Sequence, residues 1–72
     1  MNLSELKLGQ TAQVRGVESI NETLCRELHE IGFTPGTEVT FVSKGLFGSP
    51  LAYSFRGATF ALRKHEAEAI LV

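Results

Sequence analysis

Two histidines and a single cysteine, with nearby carboxylates, are the only side chains whose spacing invites metal or acid–base chemistry. Cys25 and His29 stand four residues apart in a segment of helical periodicity, so both fall on one face, and Glu22 lies beside them one turn earlier. A thiolate, an imidazole and a carboxylate on adjacent turns are donors that a transition-metal ion accepts. Closed metal sites use three or four protein donors, however, and one cysteine supplies one. The plainer alternative makes Cys25 a small buried residue flanking the apolar stripe, with His29 in solvent. His65, Glu66 and Glu68 form a second cluster. Consecutive residues on a tight turn point in different directions, so these read as ordinary surface charge. No spacing joins a nucleophile to a base. Gly45-Leu46-Phe47-Gly48 lacks the lysine and the following helix of a phosphate-binding loop. The sequence predicts no catalytic residues, no cofactor and no enzyme.

Interaction chemistry is better represented. Leu46 and Phe47 lie between glycines in a loop, where polar residues are usual, and adjacent apolar residues there mark a contact surface. The competing reading folds the loop back so that Phe47 plugs an open barrel end, a serious option in so short a chain. Lys44 adjoins the pair, and the polar helix face around Arg26 and Glu30 is a secondary candidate for partner contact. Arg56, Arg63 and Lys64 could make a modest basic patch or a solvated strand face balanced by Glu66 and Glu68.

The elements that must position these residues follow from periodicity. Leu3, Leu6 and Leu8 precede Gly9-Gln10, a lead-in packed on the core and then a turn. Ala12 to Val17 alternates as a half-buried strand does, with Gly16 marking a bend or bulge. Leu24, Leu28 and Ile31 form one stripe of a helix over Asn21 to Ile31, capped either by Asn21 or by a Ser19/Glu22 box. Gly32 suits the left-handed C-terminal position, and Pro35 prevents continuation. Strands are expected over 38–43, 51–55, 58–62 and 69–72, with a tight Arg56-Gly57 turn and one helical turn over 64–67. Several short strands around one helix predict a mainly β fold, a small SH3-like, partly open β-barrel spanning residues 1–72 as a single domain.

Composition bounds the function. The formal net charge is -1, with seven basic and eight acidic residues, which argues against nucleic-acid binding driven by phosphate neutralisation. A lone cysteine and an N-terminus without signal-peptide character fit the reducing cytoplasm. No apolar run approaches the roughly 20 residues that span a bilayer, so direct membrane insertion is not expected.

Four phrases occur in order: Leu6-Lys7-Leu8-Gly9, then Arg26 through Gly36, then Phe47-Gly48-Ser49-Pro50, then Leu62-Arg63-Lys64-His65-Glu66-Ala67. Together they resemble the FeoA family, small cytosolic accessory proteins of bacterial ferrous iron uptake. Ile31 stands where Leu or Met is more usual, and Cys25 lies outside the pattern. The shared positions are structural: Gly32 and Gly36 for turn geometry, Pro35 as helix stop, Ala67 for a crowded last turn. The resemblance implies an SH3-like barrel that assists FeoB, the membrane ferrous iron transporter with a cytosolic GTPase domain. Similar domains end iron- and manganese-responsive repressors, and without a preceding winged helix the free-standing accessory protein is expected. The contact surface would be Lys44, Leu46 and Phe47, then Arg26 and Glu30. The alternatives are an iron-binding chaperone or metal-sensing module using Glu22, Cys25 and His29, and weak self-association through the exposed loop.

Overall fold

Leu51-Ala52-Tyr53-Ser54-Phe55 alternates so strictly that one pleated face must be buried. Leu51, Tyr53 and Phe55 are buried, and Ala52 and Ser54 lie at intermediate depth. The computed structural model describes residues 1–72 and is built around that strand. In chain order, a 3₁₀ turn over Leu3–Glu5 precedes β1 (Thr11–Gln13), β2 (Gly16–Val17), α1 (Glu22–Ile31) and β3 (Glu38–Lys44). A second 3₁₀ turn over Leu46–Gly48 leads to β4 (Leu51–Phe55), β5 (Ala58–Leu62), α2 (Lys64–Glu68) and β6 (Ile70–Leu71). One antiparallel sheet has the order β1-β3-β4-β5, while β2 and β6 form a separate ladder. The result is a mainly β fold with one principal helix and a sheet that does not close.

The segment 12–17 is two strands, not one. Val14 N–H donates to Thr37 O at 2.8 Å, and the next amide, Arg15 N–H, donates to Leu71 O at 2.7 Å. The chain therefore leaves β3 and crosses to β6 within two residues, and Gly16 starts the new ladder opposite Leu71. Arg56 and Gly57 both have positive φ, 52° and 77°, the two-residue hairpin geometry that matches the twist of β4 and β5.

Asn21 is the helix cap. Its Oδ1 accepts from Leu24 N–H at 3.0 Å, and Ser19 Oγ instead accepts from Asn21 N–H at 3.1 Å. Gly32, at φ 125°, closes α1 by donating to Leu28 O and His29 O. The expected stripe is narrower than its spacing implied: Leu28 is buried, Leu24 half-buried and Ile31 exposed. Leu8 is another departure. Gly9, at φ 86°, turns the chain there, leaving Leu8 exposed while Leu3 and Leu6 are buried.

The core is aromatic at its centre. Phe33 and Phe55 have ring centroids 4.6 Å apart, Phe55 and Phe60 4.7 Å, and Phe41 and Tyr53 5.2 Å. Tyr53 is fully buried, and its hydroxyl donates to Leu3 O at 3.2 Å, tying β4 to the N-terminal turn. Burial pushes its phenol up to about 12 from 10.0. Below the lower value both folded and unfolded chains hold the proton, so this residue adds no pH dependence there. Between the two values the unfolded chain loses its proton first, and stability falls by up to about 1.4 kcal/mol per pH unit. Urea melts across the alkaline range should show this limb in the native protein and a flatter one in Tyr53→Phe. Equal limbs would rule out Tyr53 as the cause. The variant should also lose about 1 kcal/mol at neutral pH, because Leu3 O keeps only the Leu6 N–H.

Candidate docking surface

Between β3 and β4 the chain is pinned at its base. Gly45 N–H donates to Pro50 O at 2.7 Å, and Gly48 N–H donates to Gly45 O at 3.0 Å. A Cβ on Gly45 would come within 2.6 Å of the Ser49 carbonyl carbon and 2.7 Å of Pro50 Cδ, so only glycine fits. The closed base drives the tip outward. Leu46 is 81% exposed and Phe47 99%, which removes the reading in which Phe47 plugs the barrel. Phe47 also holds φ 64°, a left-handed conformation that costs a β-carbon-bearing residue roughly 1 kcal/mol. Beneath the tip lies a cleft of about 280 Å³ lined by Ser4, Lys44, Phe47, Gly48, Leu51 and Lys64.

Arg26 and Glu30 lie elsewhere. They line a cleft of about 580 Å³ between α1 and β2, shared with Val17, Phe33, Pro35, Cys25 and His29. The expected contact surface is thus two surfaces with no lining residue in common. Cys25 and His29 do share one wall, as their spacing implied. Cys25 is half-buried and its thiol reaches Ser19 O at 3.6 Å; His29 and Glu22 are exposed. No three His, Cys, Asp or Glu side chains gather in a geometry that could hold a metal ion, so Glu22 does not complete a three-donor set with them.

The basic residues are regrouped by the fold. Arg56 Nη2 donates to Thr37 Oγ1 at 3.4 Å at the elbow after α1, lining a cleft that holds neither Arg63 nor Lys64. Lys64 instead shares the cleft beneath the loop tip with Lys44, a pairing twenty residues apart in sequence that no periodicity announces. Glu66 is structural: its Oε1 accepts from Arg63 N–H at 2.7 Å and starts α2. Ala67 is fully buried on α2, which packs against the N-terminal turn. Gly36, at φ 92°, donates to Val14 O at 2.8 Å and fastens the elbow to the end of β1. Pro35 borders both the elbow cleft and the α1 cleft. Phe33 was not among the expected functional or core residues, although it is fully buried and borders the α1 cleft. A large aromatic directly after a helix-ending glycine was the available signal.

The FeoA domain family model matches residues 1–72. Among solved structures, the zinc complex of FeoA from Stenotrophomonas maltophilia, described as an SH3 domain protein and suggested as a ferrous iron transport activating factor, is 41% identical with a TM-score of 0.90. That match covers 100% of this chain and 88% of the other. FeoA from Chlorobium tepidum is 31% identical with a TM-score of 0.85, covering 99% of this chain and 67% of that one. A manganese-dependent transcriptional repressor is similar in fold alone, at 20% identity and a TM-score of 0.85, with 97% of this chain matching 39% of the repressor. No curated protein sequence matches the chain. The SH3-like architecture expected from the strand pattern is the architecture these structures share.

Proposed function

This chain belongs to the FeoA family, and from that premise we propose that it is a non-enzymatic accessory protein of ferrous iron uptake. It acts in the cytoplasm by contact with a FeoB-type membrane transporter, through that transporter's cytosolic GTPase domain. The observation that carries this reading is the Leu46-Phe47 tip: two adjacent apolar side chains, almost wholly exposed, held outward on a hydrogen-bonded base. An apolar anchor presented rigidly loses little conformational freedom on binding, which favours its insertion into a partner groove. No helix of the chain is long and apolar enough to cross a membrane. The test is an NMR titration of the labelled chain with the GTPase domain of its cognate transporter. Saturable shifts centred on Lys44 to Pro50 support the reading. An unshifted spectrum at high partner concentration overturns it and redirects attention to the membrane part of the transporter or to self-association.

A second reading, a ferrous-ion chaperone, draws on the zinc-bound relative and on Cys25 and His29 sharing one wall of the α1 cleft. With two donors in place, ferrous ion added anaerobically should bind weakly and with little sensitivity to His29→Ala. Tight stoichiometric binding abolished by that substitution would put the chaperone first.

A further inference from the structure

The cleft beneath the loop tip has a chemistry that the tip alone does not. Its lining brings together Lys44 from the end of β3, Lys64 from the start of α2, Phe47 and the buried Leu51, and includes no carboxylate. The stem of Lys44 runs along the loop, with its Cε 3.4 Å from where a Cβ on Gly48 would stand, so this ammonium stays with the tip. Arg63, next to Lys64 in sequence, lines a separate cleft together with Glu66. Helix α1, by contrast, carries Glu22, Glu27 and Glu30 against Arg26 alone. A chain with a net charge of -1 therefore sets two lysines and no carboxylate around the cleft where it exposes an aromatic ring.

Two ammonium groups sharing a cleft with an exposed ring and a buried leucine complement carboxylates next to an apolar side chain. We propose that Phe47, Lys44 and Lys64 form one receptor for an acidic, partly apolar segment of the partner protein. The ring packs on the apolar side chain, and the lysines pair with the neighbouring carboxylates and set the segment's orientation. This inference rests on the loop tip being the contact surface and adds the partner's chemistry to it. It also assigns a role to Lys64, which lies outside the loop.

The test is titration calorimetry with the cognate GTPase domain at low and raised salt, using the native chain, Lys44→Glu, Lys64→Glu, the double variant and Arg15→Glu. Arg15 is exposed and lines none of the clefts, so its variant makes elsewhere the net-charge change of either single lysine variant, half that of the double. The double variant should bind about tenfold more weakly at low salt, with the native salt dependence lost, while Arg15→Glu binds nearly as the native chain does. Native affinity in the double variant, or equal weakening by Arg15→Glu, overturns the acidic-partner inference. If Phe47→Asp still abolishes binding in either case, the loop remains the contact surface. Absence of binding by the native chain removes both readings. Lysine-dependent sedimentation with phosphatidylglycerol vesicles, in place of GTPase-domain binding, would assign the receptor to lipid headgroups and overturn the inference.

Discussion

Phe47→Asp should weaken binding to the GTPase domain by about 30-fold or more while leaving the melting temperature within roughly 4 °C of the native value. The two halves of that expectation have separate causes. A fully exposed ring contributes almost nothing to the core, so its removal costs the fold little. Aspartate also tolerates the left-handed backbone at this position better than phenylalanine does. For the partner, the same change replaces an apolar anchor with a charge that must be desolvated on docking. Leu46→Asp should act in the same direction. Calorimetric titration and a thermal melt on the same samples decide it. A collapsed melt would return Phe47 to the core, and unchanged affinity would remove it from the contact surface.

Phe33→Ala should have the opposite signature: severe destabilisation, about 3–5 kcal/mol in urea unfolding. A domain of this length is held by roughly 5 kcal/mol, so the variant should keep only about 0–2 kcal/mol of stability at room temperature. Phe33 is fully buried against Phe55, which in turn stacks on Phe60, so its loss opens a cavity joined to the centre of the sheet. Phe33→Leu should cost distinctly less, because most of the volume is retained. A loss below about 1 kcal/mol in the alanine variant would mean that the elbow does not anchor α1 to the sheet.

Local patterns in the sequence determined most of the elements. Strict alternation placed β4 with its buried face. The glycine and proline of the elbow ended α1 at Gly32, and Arg56-Gly57 made the hairpin, because each is a matter of backbone geometry within a few residues. The ordered family phrases settled the family for the same reason: they are scaffold positions. The same local reasoning placed Leu46 and Phe47 in a glycine-bounded loop but left open whether they faced inward or outward.

Tertiary structure decided what depends on distant neighbours. The break at Val14-Arg15 exists because successive amides are accepted by Thr37, just before β3, and by Leu71 of β6, which belongs to the other sheet. Asn21 caps α1 while Ser19 Oγ accepts from the Asn21 amide, and Ile31 and Leu8 are exposed because no element covers them. Arg56 and Arg63 lie at opposite ends of β5, while Lys44 and Lys64 reach one cleft because the register Lys44–Leu51–Leu62 sets the end of β3 near the start of α2. Side-chain identity and spacing specify which way a short segment bends. Which charges meet, and which ring is left in water, is set by how the bent segments pack against one another.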